Sequence, residues 1–192
     1  MDTSEPDIRI VLCLGNPGPK YALTWHNAGF WVADILAAQA GVSFKRAGAF
    51  EIAFLPGSIS LVKPSTYMNE SGRAAGAILN SKQQDPENML VVCDDVNLPA
   101  GTLRLRKSGS AGGHNGLRNI IDVLGTLDFP RLRIGAGPKP ERMDLAKFVL
   151  SKVPEARQEL VSFSAHKAAD CVLEAVNRGI AEAQSKYNGP VE

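Results

Sequence analysis

An α/β fold, with one mixed twisted β-sheet flanked by helices in a single domain, is predicted by three features of the chain. Short apolar runs alternate with helical stretches, two of the runs are joined by Pro56-Gly57 as a hairpin, and several runs end in Gly, Asn or Asp. A length of 192 residues with 44% hydrophobic residues suits one domain, able to bury roughly 70% of its unfolded surface without cross-links. Residues 8–188 are assigned to that domain, 1–7 to a flexible extension and 189–192 to a flexible tail.

In chain order, residues 8–14 (IRIVLCL) form an apolar run that ends at Gly15-Asn16-Pro17-Gly18, as a buried strand delivered into a turn does. Trp31, Ile35 and Ala38 recur at helical spacing within 27–40, and Gly41 is a suitable stop. Residues 50–55 and 58–62 make the hairpin, closed by Pro64. A weaker helix is expected at 70–79, where Gly72 and Gly76 lower the propensity, and a second buried strand at 89–93 (MLVVC) ends at Asp94-Asp95. The segments 102–106 (TLRLR) and 131–136 (RLRIGA) alternate, so each is expected to bury one face and set its arginines on the other. Between them Leu117, Ile120, Ile121 and Leu124 form a helical stripe; after Pro154 the chain ends in helices striped by Val172, Leu173, Val176 and Ile180. In such sheets ligands bind outside the carboxyl ends of the strands, where Asn16 and Asp94 fall.

The charge balance excludes some partners. Lys plus Arg number 21 against 20 for Asp plus Glu, so a nucleic acid would have to be met by a local patch. The longest weakly charged stretch, 27–44, is interrupted by Asp34, Gln39 and Gly41 and falls short of a membrane span. The acidic start lacks the features of a secretory or transit peptide, which makes the cytoplasm the expected location. Cys13, Cys93 and Cys171 are far apart, without a C-x-x-C pair, and are expected to be free buried thiols.

Three histidines limit the choice of a general base. His166 has the apolar neighbours of a helix-surface or packing residue, and His114, in Gly112-Gly113-His114-Asn115-Gly116, is positioned to cap the Leu117 helix or touch a ligand. His26 follows the first turn closely and precedes the first helix, so it can share a crevice with Asn16. Zinc, serine-hydrolase and nucleotide-loop patterns such as H-x-x-x-H, G-x-S-x-G and G-x-G-x-x-G are missing. Asn16, Asn27, Asn69, Asn97 and Asn115 concentrate neutral amides, most of them in turns. Amides favour turns for their own backbone bonds, but together they can also hold a carbonyl or a developing oxyanion, which suits ester hydrolysis.

Gly15-Asn16-Pro17-Gly18, Tyr21, His26-Asn27-Ala28-Gly29-Phe30, Tyr67-Met68-Asn69-Glu70-Ser71-Gly72, Asp94-Asp95 and Gly112-Gly113-His114-Asn115-Gly116-Leu117 together resemble bacterial peptidyl-tRNA hydrolase, in order and in spacing. The resemblance continues through Arg131-Leu132-Arg133-Ile134-Gly135 to Phe148-Val149-Leu150. It implies hydrolysis of the ester between a peptide and the 3′-terminal ribose of tRNA, in a monomer that needs neither metal nor cofactor. By it, His26 matches the proton acceptor, Asp94 the carboxylate that orients it, and Asn16 the residue that separates N-blocked substrates from free aminoacyl-tRNA. Tyr21, Tyr67, Asn69 and Asn115 match the lining for the peptide and the tRNA 3′ end, with His114 beside them; Arg106 and Arg133 match a basic pair for the 5′-terminal phosphate. Trp25 departs from the pattern, where arginine is common, as does Arg106, where lysine is frequent. A non-catalytic RNA-binding relative of the same fold is the alternative; retention of Asn16, His26, Asp94 and Asn115 favours the enzyme.

Overall fold

The computed structural model describes residues 7–191, so the extension expected at the start falls, except for Asp7, outside the described residues. Eight strands form one sheet: β1 (Ile10–Cys13), β2 (Lys45–Ala47), β3 (Phe50–Leu55), β4 (Ile59–Pro64), β5 (Met89–Pro99), β6 (Thr102–Arg106), β7 (Arg131–Gly137) and β8 (Gly189–Pro190). Their order is β2-β3-β4-β1-β5-β7-β6-β8. The four central strands run parallel and the edges antiparallel, which makes the sheet mixed as expected.

Among the described residues six α-helices accompany the sheet: α1 (Ala28–Ala40), α2 (Ser71–Lys82), α3 (Asn115–Leu124), α5 (Glu155–Arg178) and α6 (Ile180–Tyr187) cover its faces, and α4 (Leu145–Val149) lies at the strand ends. Alternation along the strands decides which side each side chain serves. Val11 and Cys13 of β1, with Leu90 and Val92 of β5, pack under α1, α5 and α6. Ile10 and Leu12, with Met89, Val91 and Cys93, pack under α2 and α3. Strands buried on both faces read as continuous apolar runs, which is why 8–14 and 89–93 carried no alternation. Gly29 sets the closeness of α1: a Cβ there would lie 2.5 Å from the Leu14 backbone, so only glycine lets the first turn of the helix touch β1 and hold the preceding His26 against the strand ends.

Four expectations are corrected. The strand expected at 89–93 runs on to Pro99, because Asp94 and Asp95 pair with Ile134 and Gly135 of β7 instead of ending it. The second helix extends to Lys82, because no breaker intervenes until Gln83 adopts the left-handed conformation at φ 52°. The tail is not free at its start, since Gly189 and Pro190 pair with Leu103 and Thr102 and give β6 an edge partner. The alternation of β7 does not place its arginines in water. Arg131 and Arg133 lie on the face opposite Leu132 and Ile134, but the loop before α3 covers them, leaving Arg131 1% and Arg133 8% exposed. Arg104 and Arg106, their cross-strand neighbours on β6, remain exposed as predicted.

Candidate active site

The parallel strands β4, β1 and β5 end at one edge of the sheet, and each delivers part of the site there. After β1 come Asn16, Tyr21 and His26; after β4 come Tyr67, Met68 and Asn69; within β5 are Asp94 and Asp95, just before a register shift between Asp95 and Pro99. The start of α3 adds His114 and Asn115.

Asp94 is the buried centre, 1% exposed. His26 Nδ1 lies 2.8 Å from Asp94 Oδ1, and His114 Nε2 lies 3.1 Å from the same oxygen. Burial by itself would raise the carboxyl pKa, but the two imidazoles, by charge and hydrogen bonding, hold it well below the usual carboxylate range. An ionised carboxylate only accepts, so both ring nitrogens are donors. For His26 that leaves Nε2 without a hydrogen-bond partner among the described residues, as the lone pair facing the crevice. For His114 the second nitrogen is also fixed, because Nδ1 accepts the Leu117 N–H at 3.2 Å as the cap of α3.

Ligand atoms of His26, Asp94 and His114 lie within 4.8 Å of one another, a spacing a metal ion could accept. The hydrogen bonds oppose that use. With Nδ1 of His114 accepting from Leu117, its proton sits on Nε2, and that nitrogen has no lone pair to offer.

Asn16 is 5% exposed and held from three directions. Its backbone N–H donates to Asn27 Oδ1 at 2.9 Å and its carbonyl accepts from Asn27 Nδ2 at 3.0 Å. Its side-chain Oδ1 accepts the Met68 N–H at 2.8 Å. That last bond decides the orientation of the carboxamide: the oxygen is occupied and the Nδ2 donor is presented elsewhere.

Six of the predicted residues, Asn16, Tyr21, His26, Tyr67, Asn69 and Asn115, line one cavity of about 370 Å³. A second cavity, of about 200 Å³, shares His26 and Asn115 with the first and continues past Asp94 and His114 to Asp95 and Gly112. Both are walled by Ala146 and Val149 of α4, so they form one crevice with His26 in its middle. Tyr21 and Tyr67 meet edge to face, ring centroids 6.3 Å apart.

The basic pair is the exception. Arg106 is exposed on β6 and donates to the carbonyl of Leu105, its own neighbour. Arg133 is drawn inward, donating to Asp95 Oδ2 at 3.1 Å and to the Ser110 carbonyl at 2.7 Å. Neither lines the two cavities that hold His26, although Asp95 joins Arg133 to the rim.

Asn27, one of the amides concentrated in turns, makes two bonds to the Asn16 backbone and is the brace of that turn; its position beside His26 is the signal in the chain that points to it. Helix α4 went unnoticed, since five residues cannot display a helical period; only Asp144, which caps it by accepting the Lys147 N–H at 3.0 Å, marks its start.

The sequence pattern of the family described as "Peptidyl-tRNA hydrolase" matches residues 10–192. A peptidyl-tRNA hydrolase of Elusimicrobium minutum is 43% identical over 185 residues, covering 94% of this chain and 99% of that protein. One of Chloroflexus aggregans is 44% identical over 184 residues, covering 93% and 98%. The crystal structure of peptidyl-tRNA hydrolase from Acinetobacter baumannii superposes with a TM-score of 0.89 at 32% identity, over 97% of this chain and 98% of that one. Agreement of pattern, full-length relatives and fold around one His–Asp crevice places this chain in the peptidyl-tRNA hydrolase family.

Proposed function

We propose that the enzyme, a peptidyl-tRNA ester hydrolase by its family, activates water at Nε2 of His26. The observation that carries this assignment is the 2.8 Å bond from His26 Nδ1 to a buried, ionised Asp94, which leaves Nε2 as the proton acceptor at the crevice. Nε2 takes a proton from water as the oxygen attacks the ester carbonyl. The bond to the 3′-ribose oxygen then breaks, and the proton on His26 passes to that leaving oxygen. The products are tRNA carrying a free 3′-hydroxyl and a peptide carboxylic acid, which loses its remaining proton to solvent.

Asp94 stabilises the imidazolium between these transfers and fixes the ring. Asn69 and Asn115, both exposed on the cavity lining, supply neutral donors for the carbonyl or the water. Asn16 presents Nδ2 to the acyl part of the substrate, and Tyr21 and Tyr67 offer flat surfaces to the peptide and the 3′-terminal base. His114 holds Asp94 from behind. Arg106, on the strand beside the one that carries Arg133, receives the 5′-terminal phosphate of the tRNA with it. The assignment of a monomer in the cytoplasm rests on the family resemblance; no helix among the described residues is long and apolar enough to cross a membrane.

The test uses N-acetyl-aminoacyl-tRNA and follows release of the acyl amino acid. His26→Ala and Asp94→Asn are each expected to lower kcat by roughly 10²-fold or more with tRNA affinity near wild type. Because both imidazoles meet one oxygen of Asp94, asparagine can keep that oxygen in place and remove only the charge. Parallel loss of affinity and rate would reject these roles.

A further inference from the structure

Resting on that assignment of the ester to His26, the peptide must leave the crevice by one of its ends. One end opens at Asp95 and Gly112, beside Arg133 and the exposed arginines of β6, and suits the RNA. The other end continues past Asn16. A cavity of about 300 Å³ shares Asn16 with the crevice and runs over Asn27, Phe30, Trp31 and Asp34. A groove of about 360 Å³ then shares Trp31 and Asp34 with that cavity and ends between Leu23, Ile35 and Val161.

The middle cavity and the far groove share a wall of α1, and the crevice meets the middle cavity at Asn16. Asn27, just before α1, and Trp31, Asp34 and Ile35 within it follow one side of the helix, at steps of four, three and one residues. From Asn27 to Ile35 the helix rises about 12 Å. An extended peptide covers that distance in about four residues.

The chemistry along this wall changes from polar to apolar. The middle cavity holds two cations, Arg46 and Lys63, and two anions, Asp34 and Glu51, with Lys63 Nζ 2.8 Å from Asp34 Oδ1. It therefore offers a phosphate chain no excess positive charge. The far groove is lined mainly by carbon. Leu23 stays 56% exposed there, and the Trp31 ring is fixed by its Nε1–H donating to the Ala22 carbonyl at 2.7 Å.

We propose that the peptide of the substrate runs from His26 along the α1 wall into the groove between α1 and α5, which receives an apolar side chain about four residues upstream of the cleaved ester. The groove is thus a specificity subsite for long, apolar nascent chains, separate from the machinery that acts on the ester.

Two substrates with the same tRNA and the same esterified residue test it: N-acetyl-aminoacyl-tRNA, and an N-acetyl-hexapeptidyl-tRNA with leucine at the fourth upstream position. Leu23→Asp and Ser162→Arg alter exposed positions that the fold does not depend on. Each is expected to lower kcat/KM for the long substrate by about fivefold to tenfold, the worth of one partly buried apolar side chain, while the short substrate is unchanged. Aspartate in place of that leucine should abolish the difference between wild type and variants. Equal losses on both substrates, or none on the long one, overturn the groove. Failure of the wild type to cleave the short substrate would instead overturn the catalytic assignment. For that case a photoreactive leucine at the fourth position, bound to His26→Ala protein, reads the path directly. Crosslinks to α1 or α5 are expected; crosslinks confined to the β6 side overturn the proposal.

Discussion

His114 donates from Nε2 to Asp94 Oδ1 at 3.1 Å, the same oxygen that His26 reaches at 2.8 Å. One buried carboxylate oxygen therefore couples the ring of His26 to the cap of α3, because the other nitrogen of His114 is the acceptor for Leu117 N–H. The residue that ends the glycine loop is in this way also a member of the hydrogen-bond chain through Asp94 to His26.

Replacing His114 separates those two duties. Asparagine is a good cap but too short to keep the bond to Asp94. His114→Asn is expected to retain thermal stability within about 1 kcal/mol yet lose roughly tenfold in kcat, whereas His114→Ala loses the cap as well, at about 1 kcal/mol more. Thermal unfolding and steady-state hydrolysis of N-acetyl-aminoacyl-tRNA read the two effects apart. If the asparagine variant turns over like wild type, the bond to Asp94 is only structural.

Asn16→Asp makes a narrow change, because its Oδ1 already accepts from Met68 N–H and an aspartate can keep that bond. Only the presented Nδ2 donor becomes an acceptor with a negative charge. An unblocked aminoacyl-tRNA carries an ammonium that pairs with it, while an N-acyl substrate does not. The ratio of kcat/KM for blocked over unblocked substrate is expected to fall about tenfold or more, the scale of one charge-assisted hydrogen bond. An unchanged ratio moves the discrimination away from Asn16.

Arg106 and Arg133 are predicted to behave differently from one another. Arg106 is exposed, so Arg106→Ala is expected to weaken tRNA binding and flatten the slope of log affinity against log salt by less than about one unit, with little effect on stability. Dephosphorylating the tRNA 5′ end should erase that difference. Arg133→Ala strands Asp95, 7% exposed, without its ion-pair partner, and is expected to destabilise the fold by about 3 kcal/mol in addition. Urea unfolding beside a salt titration distinguishes the two; equal stability of both variants would show that the Asp95 pair carries no weight.

The thiols give a pH dependence. Cys13, Cys93 and Cys171 are free and buried, and burial pushes Cys93 and Cys171 up to about 12 and Cys13 upward as well. In the unfolded chain a thiol ionises near about 8.5. The raised folded pKa means that their contribution is complete below that pH and is lost as pH rises toward about 12, at up to about 1.4 kcal/mol per pH unit for each thiol. Urea midpoints from pH 7 to 10 are expected to fall, less steeply in Cys93→Ala. Thiol reagents should modify the native protein slowly at pH 8 and all three cysteines in urea. Rapid native labelling would contradict their burial.

By itself the sequence determined the architecture of this protein and named the residues that gather at its crevice. Apolar runs ending in Gly15-Asn16 and Asp94-Asp95 marked parallel strands, because local patterning reports burial and turn chemistry directly, although Asp94 and Asp95 proved to lie inside a strand that continues to Pro99. The partners of those residues were decided by tertiary structure. No spacing in the chain could reveal that His26 and His114, 88 apart in number, meet one oxygen, or that α4 closes the crevice over them. The two arginines of β7 show the physical reason most plainly. Their alternation promised a solvated face, and it is the loop carrying Gly109, Ser110 and Gly112, laid across that face, whose carbonyls with Asp95 satisfy the buried guanidinium groups. A strand's own sequence records which side each residue takes; whether that side meets water or another part of the chain is set by residues far away.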